Sequence, residues 1–107
     1  MSQRTEKVSS LIQHIAAAEL AKVPGTERLT VTKVDVSPDL REATVWIGVI
    51  ADDSQAEEFL KPALSARRQL QDVVAKQLTT KFVPRLTIKR DVGGQYADHI
   101  TKLIRGL

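Results

Sequence analysis

The stretch that most restricts this fold is Leu29 to Ile50, LTVTKVDVSPDLREATVWIGVI, two β-branched runs joined at Ser37-Pro38-Asp39. In the second run Ala43, Val45, Ile47 and Val49 recur with period two, so one face of that strand is apolar. An apolar sheet face has to be covered, and the rest of the chain must supply the helices that do it. Ser37 suits a local backbone hydrogen bond, Pro38 presets φ for the first central turn position, and Asp39 suits the second. The first run carries a flaw: Leu29 and Val31 share one parity, and Val34 and Val36 share the other. Either a β-bulge near Thr32 or Lys33, or a strand partly covered on both faces, produces this slip.

Helical spacing supplies the cover. Val8, Leu11, Ile12, Ile15 and Ala18 recur at three and four residues and predict an amphipathic helix from about Arg4 to Ala21, with Arg4, Lys7, Ser10 and His14 on its polar side. Pro24 and Gly25 end it. Asp52 or Asp53 suits an N-cap, with Glu57 and Glu58 in the first turns of a second helix. Pro62 interrupts that helix or opens the next one, because a proline in a helix interior costs on the order of 3 kcal/mol. The pattern resumes through Leu64, Ala66, Leu70, Val73, Val74 and Leu78. Leu86-Thr87-Ile88 reads as a third strand ending at Asp91, and Ile100, Leu103 and Ile104 predict a short terminal helix between Tyr96 and Leu107. The expected architecture is a single α+β domain over residues 1–107, a three-stranded sheet covered by helices on one face.

Several function classes drop out. Without cysteine there is no disulfide framework, thiol nucleophile or thiolate zinc site. His14 and His99 have no carboxylate or second histidine at ligand spacing, so no metal and no cofactor is expected. No Ser-His pairing or phosphate-binding loop accompanies Asp91, and no catalytic residue is assigned. MSQRTEKVSS has no apolar signal-peptide core, no stretch is long enough to span a membrane, and a cytoplasmic location is expected.

The charge distribution carries more than the net +3. Asp52, Asp53, Glu57 and Glu58 form an acidic run, whereas Arg67, Arg68, Lys76, Lys81, Arg85, Lys89 and Arg90 face only Asp72 over residues 67–90. Such a local surplus is what neutralising phosphates requires, although on charge alone an ordinary solvated face fits as well; these seven cations are the candidate RNA-binding residues, expected to form one stripe along a helix and the last strand. Aromatic residues are scarce. Trp46 alternates away from Val45 and Ile47, which puts it on the less covered sheet face, where RNA stacking is the minor reading and a structural indole the commoner one; Phe82 and Tyr96 are assigned to packing. Phosphate and shape recognition of folded RNA is therefore expected over base-by-base reading.

The hairpin and the last strand together resemble the ribosome-binding factor A family. Val34, Val36, Ser37, Asp39, Leu40 and Ala43 match its Val-x-Val-Ser-x-Asp-Leu-x-x-Ala hairpin, and Pro84, Leu86 and Asp91 match its last strand. Arg4-x-x-Lys7-Val8 also fits the start of the first helix. The resemblance implies a KH-like domain of the second type, in the order helix, strand, strand, helix, kink, helix, strand, without the Gly-x-x-Gly loop of RNA-binding KH domains. It also implies a non-enzymatic assembly factor for the small ribosomal subunit and its rRNA, acting late in maturation and rRNA processing, with assembly GTPases as further partners and a monomeric state. Members bend their central helices at an Ala-x-Gly, which falls here on Ala66-Arg67-Arg68; the alanine is kept and the glycine is replaced. Pro62 is then expected to supply the bend, with Ala66, as the helix-kink pair. The alternatives are a KH-like RNA binder or a protein-interaction module acting outside the ribosome.

Overall fold

A computed structural model describes residues 3–79 and 82–92. Helix α1 (Gln3–Leu20) buries Thr5, Val8, Ile12, Ile15, Ala16 and Leu20, so its apolar stripe is turned slightly from the expected one: Leu11 is exposed, as is Ala18. The helix stops where the buried Thr26 hydroxyl sits between the carbonyl of Leu20, the last helical residue, at 2.6 Å and that of Val23 in the turn beyond it at 2.8 Å, satisfying a group that a helix end leaves orphaned. Gly25 takes the left-handed conformation, φ 87°, and a Cβ there would meet Pro62 Cγ at 3.3 Å. Only glycine combines that backbone with that contact.

Strands β1 (Leu29–Val36) and β2 (Glu42–Val49) form the expected antiparallel hairpin. The parity slip is a bulge: Val31 pairs with Ile47, Lys33 pairs with Trp46, and Thr32 is the extra residue. The Thr32 hydroxyl donates to Asp91 Oδ2 at 2.8 Å, tying the bulge to the end of the last strand across β2. The hairpin turn is wider than a two-residue link. Ser37 N–H donates to Glu42 O at 2.8 Å and Glu42 N–H donates to Ser37 Oγ at 3.0 Å, while Leu40 enters the left-handed region at φ 61° with its side chain buried.

Asp39 Oδ1 accepts the Ser37 hydroxyl at 2.6 Å and Arg41 N–H at 3.1 Å. These bonds, the Ser37 one first, hold the Asp39 carboxyl below the usual carboxylate range. Its folded-state pKa therefore lies under the unfolded value, so its contribution to stability is present above about pH 4 and is lost as pH falls through the lowered pKa. The stability difference between the wild-type protein and Asp39→Asn should accordingly shrink as chemical denaturation is repeated from about pH 6 toward pH 2. A gap that stays constant would mean the carboxylate does not organise the turn.

Helix α2 (Asp53–Ser65) and helix α3 (Arg67–Gln77) meet at Ala66, and strand β3 (Arg85–Arg90) returns parallel to β2, giving a mixed sheet in the order β1-β2-β3. The break lies at Ala66 and not at Pro62, which corrects the expectation that proline supplies the bend. Pro62 lies inside α2, its ring against Gly25, while Ala66 N–H reaches both Pro62 O and Ala63 O at 3.1 Å, the tightened last turn of a helix end. Ala66 is buried at this junction. Val45, Ile47, Leu86, Leu70, Val74 and Ile12 are almost wholly buried, so the core is the layer between the three helices and one face of the sheet. This is the KH-like architecture expected of the chain. The terminal helix expected between Tyr96 and Leu107 lies outside the described residues.

Candidate nucleic-acid interface

Strand parity decides where each candidate cation points. Leu86 and Ile88 face the core, so Arg85 and Lys89 face away from the helices and are exposed, while Arg90 points back toward α2. There Arg90 Nη2 donates to Asp53 Oδ1 at 2.6 Å, with 17% of the arginine side chain exposed, and its buried Nε has no partner. Asp53 is thus an ion-pair partner in the first turn of α2, and the Asp52 side chain makes no cap hydrogen bond.

Arg67 is also engaged. Its Nε donates to Leu86 O at 2.7 Å on the outer edge of β3. One turn on, Gln71 Nε2 donates to Pro84 O at 2.9 Å, and Leu86 N–H donates to Gln71 Oε1 at 2.8 Å. Residues four apart on a helix share a face, so Arg67 and Gln71 act together as a substitute neighbour strand for an otherwise open edge. Arg68 and Lys76 lie on the outer, solvent side of α3, with Asp72 between them along the same ridge.

The expected single stripe is therefore divided. Arg68 and Lys76 lie on the helix layer, Arg85 and Lys89 on the uncovered sheet face, Arg67 at the β3 edge, and Arg90 inside an ion pair; Lys81 is outside the described residues. The reason is layer geometry: helix and sheet face are separated by the core, and alternate strand residues point to opposite sides. What joins Arg67 and Arg85 is a cleft of about 400 Å³ beside the helix break, lined also by Leu64, Thr87, Ile88 and Glu42. Leu64 is 44% exposed there, an apolar floor beside two guanidinium-bearing walls.

Sequence reasoning missed two features. Phe82 does not enter the core; it is 43% exposed and the Arg41 guanidinium lies 4.8 Å from its ring centre. Lys33 joins Trp46 and Lys89 in one row across the three strands, a placement that follows from the parity slip once the slip is known to be a bulge. Among the described residues no cluster of side chains suits a metal ion, and no helix is long and apolar enough to cross a membrane.

Two strands and a helix, a broken helix pair and a returning parallel strand, with cations beside the break, define a KH-like α+β domain. A family model described as ribosome-binding factor A matches residues 4–104, and the chain belongs to that family. The ribosome-binding factor A of Geobacter sulfurreducens is 32% identical over 108 residues, covering 98% of this chain and 92% of that protein. The solution structure of a Thermotoga maritima protein assigned to ribosome-binding factor A superposes with a TM-score of 0.72 at 21% identity, covering 89% of this chain and 93% of that one. A homology model of Thermus thermophilus ribosome-binding factor A, fitted into a cryo-electron microscopy map of a 30S complex, superposes with a TM-score of 0.60 at 22% identity, covering 80% of this chain and 93% of that one. At these identities the two structures speak for the shared fold.

Proposed function

We propose that this chain binds the small ribosomal subunit and contacts its rRNA late in maturation and rRNA processing, as a monomeric cytoplasmic factor that catalyses no reaction. The observation that carries this reading is family membership over residues 4–104, supported by the relative whose coordinates were fitted into a 30S complex. The cleft at the α2–α3 break suits an RNA backbone: Arg85 at its rim and Arg68 and Lys76 on the adjoining helix offer charge to phosphates, and Leu64 offers apolar contact to a sugar or base. In place of the glycine that lets a backbone approach phosphate closely, Arg68 brings a guanidinium fork.

Co-sedimentation with purified ribosomal subunits across a salt series tests this. The protein should travel with small and not large subunits, and log K should fall with log salt by about 0.7 to 0.9 per phosphate neutralised. Equal association with both subunits would favour a general RNA binder, and association with neither a protein-interaction module.

A further inference from the structure

Resting on rRNA as the partner just proposed, we infer a second RNA contact on the uncovered sheet face, where Trp46 between Lys33 and Lys89 forms a stacking platform for an unpaired nucleobase and the two ammonium groups hold its flanking phosphates. The three residues occupy one cross-strand row: Lys33 pairs with Trp46 on one side and Lys89 on the other. Lys33 Nζ lies over the indole at 5.5 Å and Lys89 Nζ at 6.0 Å from its centre, within cation–π range, so a base that stacks there takes an ammonium's place on the ring and the displaced ammonium turns to the flanking phosphate. Trp46 Nε1–H donates to Asp35 Oδ2 at 3.1 Å, which holds the ring's orientation.

The bulge builds this row. In an unbulged register Thr32 would stand opposite Trp46 and Lys33 would point into the core opposite Val45. The row's surroundings choose the occupant. Within the three strands the residues sharing this face are Thr30, Asp35, Glu42, Thr44, Arg85 and Thr87, with Gly48, and none of them is aliphatic; Ile50, just past the end of β2, is exposed. A hydrophobic helix or strand of a protein partner laid across the strands would find one aromatic ring and no aliphatic side chain beside it. A nucleotide needs that combination: a π face for the base and cations for its phosphates. Asp35, Glu42 and Asp91 are the anions on this face, Asp35 held by the indole and by Lys33 at 3.7 Å, Glu42 aligned with Arg85, and Asp91 accepting the Thr32 hydroxyl at 2.8 Å. Lys33, Arg85 and Lys89 equal them in number, and Lys33 and Lys89 are the cations that stand beside the ring. The row lies on the sheet side, and Glu42, Arg85 and Thr87 of the same face also line the cleft at the helix break.

Trp46 is the chain's one tryptophan, so its emission reports on this site alone. Titration with single-stranded oligoadenylate of about eight nucleotides should quench it saturably, whereas inorganic polyphosphate, which has charge but no base, should not. Measured with fluorescein-labelled oligoadenylate, Trp46→Leu should weaken binding roughly tenfold or more, while Trp46→Phe should keep most of the affinity because the phenyl ring still stacks. Lys33→Gln with Lys89→Gln, which leaves the ring in place, should weaken binding and lower the salt slope by about 1.4. Equal quenching by polyphosphate, or unchanged affinity in Trp46→Leu, overturns the proposal. Small-subunit co-sedimentation of the wild-type protein is scored separately: if it holds while the oligonucleotide result fails, this site falls and the ribosomal reading stands, and the reverse outcome leaves a stacking site for other RNA.

Discussion

Gln71→Leu should destabilise the protein by about 2–3 kcal/mol, although Gln71 is a half-buried polar residue on a helix surface. The reason is the edge of β3. The Gln71 amide both donates to Pro84 O and accepts from Leu86 N–H, so leucine removes two hydrogen bonds and leaves two backbone groups facing an apolar side chain. For a domain of this size the melting temperature should fall by roughly 10 °C or more. Hydrogen exchange at the Leu86 amide should accelerate along with it. Gln71→Glu, which keeps an acceptor for Leu86 N–H but loses the donor to Pro84 O, should fall between, and Gln77→Leu at an exposed position of the same helix should change stability by no more than about 0.5 kcal/mol. Full stability in Gln71→Leu would show that α3 does not close the edge.

The combined substitution Arg68→Glu, Lys76→Glu and Arg85→Glu should reduce small-subunit binding about a hundredfold or more, since each charge-assisted contact to phosphate contributes roughly 1.5–3 kcal/mol. It should also flatten the salt dependence by about 2 to 3 in slope, because fewer counterions are released. Arg67 is left out on purpose. Its Nε bond to Leu86 O means that reversing its charge disturbs β3 and confuses a binding defect with a folding one. The three chosen side chains are exposed, so the unfolding midpoint should stay close to that of the wild type. Binding retained at wild-type strength would remove these cations from the interface.

Much of this was legible in the residues. Alternation at Ala43, Val45, Ile47 and Val49 and the parity slip after Val31 are local patterns, and both reappear as built structure. Arg90 could have been separated from Lys89 by the same parity argument, since it shares its side with Leu86 and Ile88. The position of the helix break was less accessible. Pro62 carries the stronger local signal, yet its ring finds a place against Gly25, and the chain turns at Ala66, where local propensity gives no warning. Packing against distant residues overrides a local preference here, even one as strong as proline's.

Taken alone, the amino-acid order determined, among the described residues, which segments are helix and strand, that β2 has one apolar face, and that the cations cluster in the second half, because these follow from side-chain period and local backbone sterics. Only tertiary structure decided which of two readings of the slip at Thr32 is real, that Arg67 and Gln71 close the β3 edge, that Arg90 meets Asp53, and that Lys33 and Lys89 flank Trp46. Those outcomes depend on strand register and on layers packed from residues far apart in the chain, and local periodicity carries no information about what stands on the neighbouring strand.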